Sequence, residues 1–452
     1  RLSRCVRKGI AFHHAGLVQK QKDLIEDEFR SGKIKVICCT PTLAAGMSLP
    51  AYRVIIKSLK RFSGKWGMDW IPVLEYLQMA GRAGRPEFEK EGEAITVAKD
   101  ENDKQEIYDR YVLGKPEEIY SKLAVEPVLR TYLLSLIASG IITDEKNMKD
   151  FFSKTFWASQ FRDFAKLEMI MDKMLNLLEE WEFVKISGAD RVQDDFVVAK
   201  DLNKKNQEIR KLKATLLGQR VSELYLDPLT ARHLLDCLIK FNSEKDSFSL
   251  LQMICHTLEM RPLLRVKAKE QDKIQEELVK NYDKLLKEEP SAFDLEYNEF
   301  INSIKTSLFF DAWINETNED FLLENFDIRP GEIRVKIEIA DWLLYASSEL
   351  ARVSMMAGGL TKEIHNLRIR VKNGVKEELL PLLKLKGVGR VRARKMVING
   401  IKDLGDVKKT DLTSLAQMLG VKLAVDVHKQ LGLEVREIPK GTRKGQLSLE
   451  KF

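Results

Sequence analysis

The sequence predicts a multidomain fold: a partial α/β domain, then a winged helix, a nearly all-α bundle and a small helix–hairpin–helix module. Three observations predict it. Ile34–Cys39 is a continuous apolar run of strand length within a helix–strand–loop alternation, the mark of a parallel strand buried on both faces. After about residue 114 the strands thin out, and from Asp227-Pro228 onward helical periodicity dominates. The last fifth is strongly basic. A chain of 452 residues with 44% hydrophobic and 32% charged content suits several buried cores and excludes disorder as the dominant state.

The elements follow in order. Val18–Arg30 reads as an amphipathic helix with Leu24, Ile25 and Phe29 on one stripe and Gly32 as its stop. Arg53–Lys57 is a further strand. Ser58–Leu74, with aromatic ends and Gly64/Gly67 at its centre, reads as a β-hairpin. Lys115-Pro116 is a linker. Helices Ser121–Gly140 and Leu167–Trp181, then Trp181–Ile186 and Phe196–Ala199 around the turn-rich SGADRVQDD, form a winged-helix pattern. Helices are expected at Leu229–Phe241, Ser247–Glu259, Lys269–Lys287, Ile301–Asn315 and Ile333–Met356, with Gly358-Gly359 ending that region. The expected domains are 1–114, 115–224, 225–362, 363–438 and a flexible tail, 439–452.

The net charge of +7 is unevenly placed. Thr361–Phe452 holds 21 Lys+Arg against 10 Asp+Glu, a local +11, and the remainder is 7 − 11 = −4. That concentration favours an acidic polymer as partner. Five cysteines, two of them the neighbours Cys38-Cys39, with no CxxC, suggest neither a disulfide framework nor a zinc knuckle and point to a reducing, cytoplasmic compartment. Cys38 and Cys39 read as core, the adjacent His13-His14 point in different directions, and His233 and His256 lack partners at ligand spacing, so no metal is expected. The longest apolar stretch, Thr131–Ile142, is shorter than the ~20 residues a bilayer requires.

Gln78-Met79-Ala80-Gly81-Arg82-Ala83-Gly84-Arg85-Pro86 is the strongest signal. On a helix Gln78, Arg82 and Arg85 would share a face at i, i+4 and i+7, and Gly81 and Gly84 would let a partner surface approach. Two arginines so placed can grip a triphosphate across a domain interface. A plain solvated helix would not carry two interior glycines, at ~1 kcal/mol each.

This nonapeptide resembles the last motif of superfamily 2 helicases, Thr40–Pro50 (TPTLAAGMSLP) resembles the motif before it, and Phe12–Gly16 (FHHAG) one further upstream. The chain closely resembles the archaeal Hjm-type, HelQ-like DNA helicases, down to GVKEELLPLLKLKGVGRVRARK near its end. The resemblance implies a second, partial RecA-like domain, a winged helix, an all-α ratchet bundle and a helix–hairpin–helix domain. It implies ATP with Mg²⁺, bound mainly by a first RecA-like domain, because no GxxxxGK[ST] is present. Arg82 and Arg85 would be arginine fingers and Gln78 would orient the phosphate or its attacking water. Thr40, Thr42 and Gly46 would couple the nucleic-acid backbone to the nucleotide, although Ser48 stands where the family usually has Asn.

The family places a strand-separating pin at the Ser58–Leu74 hairpin, with Phe62 or Trp66 as wedge. It threads single-stranded DNA past one long helix, where Trp342 matches the stacking aromatic and Arg334 the phosphate contact. Lys386–Lys395 (KGVGRVRARK) pairs a glycine turn with Arg390, Arg392, Arg394 and Lys395, a sequence-independent grip on the DNA backbone. Gln446, Leu449 and Phe452 resemble a sliding-clamp (PCNA) binding peptide. The implied activity is that of a monomeric 3′–5′ DNA helicase acting on single-stranded, forked and branched DNA in repair and recombination, with this chain alone inactive. The alternatives are an RNA helicase of the same superfamily and a non-catalytic DNA-binding, clamp-recruiting module.

Overall fold

The computed structural model describes residues 2–14, 17, 19–41, 51–62, 68–84, 91–161, 163–187, 210–242, 244–356 and 358–433. The chain divides into two compact units between Tyr120 and Ser121.

The first unit is α/β. In order it contains α1 (Leu2–Val6), β1 (Ile10–His13), α2 (Gln19–Arg30), β2 (Val36–Cys39), β3 (Arg53–Ile56), β4 (Lys60–Phe62), β5 (Met68–Trp70), α3 (Val73–Ala80), β6 (Glu93–Thr96) and α4 (Glu101–Ile107). β1 pairs parallel with β2, Ile10 opposite Val36, and β3 pairs parallel with β6, Arg53 opposite Glu93. β4 and β5 form the expected hairpin, Lys60 opposite Trp70. One small core joins Ile56, Leu59, Ile71, Val73, Tyr76, Ile107 and Tyr111, and another joins Ala11, Leu17, Ile25 and Ile34.

Two expectations change here. On α2 the buried stripe is Ile25 with Phe29 packed against it, whereas Leu24 is 60% exposed. Leu24 stands 100° around the helix from Ile25, outside the stripe that faces β1. Cys38 and Cys39 are exposed rather than core. An apolar run sets strand propensity, but burial needs a layer on each face, and the described neighbours do not cover both.

The second unit is mostly helical. The winged helix comprises α5 (Glu126–Ala138), α6 (Glu145–Ser153), α7 (Phe156–Phe161), α8 (Phe164–Glu180), β7 (Val184–Ser187), β8 (Lys211–Ala214) and α9 (Leu216–Glu223). The strand that pairs with β7 is Lys211–Ala214, in antiparallel register from Val184↔Ala214 to Ser187↔Lys211. The expected strand Phe196–Ala199 lies outside the described residues. Next come α10 (Pro228–Lys240), α11 (Ser247–Cys255), α12 (Gln271–Lys280), α13 (Tyr297–Ile314), α14 (Glu319–Phe326), α15 (Pro330–Val353) and α16 (Gly358–Asn373). Each helix forms where an apolar stripe has a core to face and a cap to start from: Asp227 caps α10 and Asp246 closes a capping box on α11. α13 is buried nearly all round, and its Ser303 and Ser307 hydroxyls donate to the helix's own carbonyls.

Gly358-Gly359 does not end the helical region but starts α16. α15 stops at Val353, Met355 turns the chain in the left-handed region, and α16 folds back along α15. Ile364, Leu367 and Val371 of α16 belong to the large core that runs from Leu129. A separate core begins at Val375, so the break expected at 362/363 falls inside α16. That second core is built by α17 (Arg390–Ile398), α18 (Leu404–Lys409), α19 (Leu412–Leu419) and α20 (Val421–Gln430). Among the described residues no helix is long and apolar enough to cross a membrane.

Candidate nucleotide and nucleic-acid sites

α3 does not carry the three motif residues on one face. It ends at Ala80, with Gly81 as C-cap, and Gln78 lies exposed in its last turn. Arg82, half-buried, follows in a turn, its N–H donating to Met79 O at 3.2 Å. The helix stops because the next residues join an edge: Ala83 bridges Ala51, and Gly84 N–H donates to Ala51 O at 3.1 Å. Gly84 has φ +63°, and a Cβ there would lie 2.6 Å from Gly92 N. Glycine is required by that close approach and not by an incoming partner surface. Arg85 lies outside the described residues.

Thr40 sits exposed at the carboxyl end of β2, its N–H donating to His13 O at 3.2 Å. That end is where parallel α/β sheets place ligands. Thr42 and Gly46 lie outside the described residues. So does Trp66, and of Phe62 only the backbone, in β4, is described. At the hairpin's base Trp70 lies under two cations, Lys60 Nζ at 3.9 Å and Arg110 at 5.1 Å from the ring centre. Arg61 grips Glu75 of α3 through both carboxylate oxygens, at 3.0 and 2.9 Å.

α15 has 24 residues, ~36 Å at 1.5 Å per residue. Its inner face buries Ile333, Ala340, Leu343, Leu344 and Leu350, together with Lys336, whose ammonium donates to the Met260 and Pro262 carbonyls. Trp342 is half-buried against this core, and its indole N–H donates to Leu224 O at 3.1 Å. The fixed ring presents one exposed portion on the outer face. Arg334 is exposed and paired with Glu338 one turn on.

Sequence reasoning missed the rest of that face. Tyr345 has the Arg368 guanidinium 4.9 Å from its ring centre and accepts from Arg220 at 3.2 Å. Arg368 is bidentate to Asp341 at 2.8 and 3.1 Å. Arg220 and Arg352 both grip Glu349, at 2.7 and 2.8 Å. Arg220 and Arg368 come from α9 and α16, which no spacing rule on α15 could have found.

The terminal module divides its four expected DNA contacts. Arg394 is bidentate to Glu316, both contacts at 2.7 Å, and also reaches Glu378 at 2.6 Å. Arg390 donates to Thr317 O at 2.9 Å and lies 5.4 Å over the Trp313 ring. These two pin the module to the helical bundle. Burial pushes the Glu316 carboxyl up, but Arg394 and the Lys376 N–H outweigh it and hold it below the usual range. Trp313 also donates to Val371 O at 2.7 Å, and a Cβ at Gly374 (φ +62°) would sit 2.7 Å from its ring. Arg392 and Lys395 are exposed and, among the described residues, donate to the backbone carbonyls of Gly387 and Met418. Gln446, Leu449 and Phe452 lie outside the described residues.

His233 and His256 sit with ring centres 5.5 Å apart in the bundle core. Burial lowers the pKa of both, that of His256 to about 3. Among the described residues no cluster could hold a metal ion.

Three family models match this chain: a helicase conserved C-terminal domain over residues 2–87, a helix-turn-helix domain over 92–185 and an archaeal helicase domain 4 over 248–374. The last ends where the second core begins. Three relatives carry the printed name ATP-dependent DNA helicase Hel308. The Methanocella arvoryzae protein is 37% identical over 100% of this chain, that of Pyrococcus abyssi 36% over 99%, and that of Methanococcus vannielii 36% over 96%. The chain spans 59% of the length of each.

Proposed function

Because its matches fit a Hel308/Hjm-type superfamily 2 helicase, we propose that this chain supplies the second RecA-like domain and the DNA-handling domains of an ATP-dependent 3′–5′ DNA helicase. The observation that carries the reading is likeness along the whole chain, which joins the Gln78–Arg82 turn, the hairpin and the aromatic face of α15 in one polypeptide.

Nucleotide would sit between this α/β unit and a first RecA-like domain that supplies the phosphate loop and most of the Mg²⁺–ATP contacts. Arg82 and Arg85 would stabilise charge on the transferred phosphoryl group, and Gln78 would orient the γ-phosphate or its water. Thr40, Thr42 and Gly46 would pass the closure to the DNA backbone. The hairpin, with Phe62 or Trp66 as the wedge, would open the terminal base pair. The strand would then stack on Trp342 and leave past the cations of the terminal module. Substrates would be single-stranded, forked and branched DNA, with the tail residues Gln446, Leu449 and Phe452 docking a sliding clamp and the enzyme acting as a monomer.

The test is ATP-driven strand separation of a 3′-tailed fork by the protein carrying both RecA-like domains. The expected result is unwinding of DNA, with Arg85→Ala abolishing DNA-stimulated ATP hydrolysis. Hydrolysis intact in Arg85→Ala would remove the finger assignment. A preference for RNA duplexes of the same sequence would replace the substrate.

A further inference from the structure

The first turn of α3 is held from a distant part of the chain. Its N-cap is Pro72, which offers no side-chain hydrogen bond to the exposed N–H groups of the helix start. Glu117 fills that place from 44 residues on. Its two carboxylate oxygens accept from Val73 N–H at 2.6 Å and Leu74 N–H at 3.1 Å. Those N–H donors hold the Glu117 carboxyl below the usual carboxylate range, so it is charged, the sign that a helix N-terminus favours. Beside it, the buried Tyr111 hydroxyl donates to Ile71 O at 2.6 Å, fixing the residues just before the helix.

The location gives this cap its meaning. Residues 113–120 have no regular structure and lead directly to Ser121, where the second unit starts. α3 itself is an eight-residue rod, ~12 Å long, with the strap at one end and Gln78 and the Arg82 turn at the other. In the same first turn, Glu75 of α3 holds Arg61 of the hairpin. One short helix therefore joins the proposed phosphate-sensing residues, the hairpin and the segment that leaves the motor.

We propose that Glu117 is a coupling residue: it ties α3 to the exit strap, so that a shift of α3 on nucleotide binding is transmitted to the DNA-handling domains. It is a positioning residue, touching neither nucleotide nor DNA, and the proposal rests on the helicase reading above. Glycine, alanine or serine at position 117 would leave the first N–H groups to water and the strap free to move independently of the helix.

The experiment compares Glu117→Ala and Glu117→Gln with the unaltered protein carrying both RecA-like domains. Base pairs opened per ATP hydrolysed are measured on a 3′-tailed DNA fork, with thermal unfolding as a folding check. The expected result for Glu117→Ala is DNA-stimulated ATPase within about twofold and at least a tenfold fall in base pairs opened per ATP. Glu117→Gln keeps one acceptor oxygen and should fall between. Equal losses of ATPase and unwinding would make Glu117 a stabiliser of the motor only and overturn the coupling. An unchanged ratio in both variants would do the same. If the unaltered protein opened no duplex, the helicase reading itself would fall, and coupling with it.

Discussion

The outer face of α15 and the terminal helical module both present arginines, and they differ in what neutralises them. Around α15, Arg334 faces Glu338, Arg368 faces Asp341, and Arg220 and Arg352 share Glu349, with Glu223 also on Arg220. Four arginines meet four carboxylates, and the Tyr345 ring lies against two of them, Arg220 and Arg368, one turn after Trp342. In the module, Arg390 and Arg394 are held by the bundle, whereas Arg392 and Lys395 keep their charge beside neutral carbonyls. The difference supports a proposed division of labour. A charge-balanced aromatic face suits bases, whose stacking is insensitive to salt, and an uncompensated cationic surface suits phosphates, whose capture releases counterions.

The largest expected effect separates pinning from gripping. Arg394→Ala leaves a mostly buried Glu316 carboxylate without its bidentate partner. Denaturant unfolding should show a loss of about 1.5–3 kcal/mol, the range for hydrogen bonds to charged groups. Arg392→Ala should change stability by no more than ~0.5 kcal/mol. Equal costs would erase the distinction between the two arginines.

Trp342→Ala should weaken single-stranded DNA binding by ~1–3 kcal/mol, the worth of one stacked base. Equilibrium titration of the folded variant checks it, and unaltered affinity would remove the platform from α15.

Acid should act on the bundle core before it acts on either arginine set. His233 and His256 are half-buried, and desolvation holds their folded pKa values below the unfolded value near 6.5. The stability that comes from keeping them neutral is full above pH 6.5 and is lost as pH falls toward the folded value, about 3 for His256. Between pH 6.5 and 5 the loss should be on the order of 2 kcal/mol for His256, read as a fall in the thermal midpoint. A midpoint that stays constant over that interval would contradict it.

The smallest effect belongs to the exposed pair on α15. Arg334→Ala should cost less than ~0.5 kcal/mol in unfolding experiments, because Arg334 and Glu338 are both well solvated.

Much of this organisation was legible in the sequence, and the failures share a cause. IKVICC as a strand, Ser58–Leu74 as a hairpin and Ile333–Met356 as one long helix follow from local periodicity, and the elements exist within a few residues of those bounds. The second wing strand, KLKA, was missed because two lysines interrupt its apolar signal while Leu212 and Ala214 alone face the core. A glycine pair such as Gly358-Gly359 signals a stop, but two glycines at a helix start cost little against the packing of α16 on α15. Helical spacing puts Gly81 and Gly84 inside a helix, but Gly81 caps its end and Gly84 lies beyond it, held against the Gly92 backbone. Arg390 and Arg394 matched a DNA-gripping pattern, but Glu316 and Thr317, which hold them, lie more than 70 residues away. Local patterns name the elements, and long-range contacts decide which charges remain available.

The central claim is best tested by one measurement on this chain: the dependence of single-stranded DNA affinity on salt concentration. Removing Arg392 and Lys395 together should flatten the log–log slope by about 1.4, at about 0.7 per phosphate contact, while Trp342→Ala should lower affinity at every salt concentration and leave the slope unchanged. A slope that follows Trp342 and ignores Arg392 and Lys395 would contradict it.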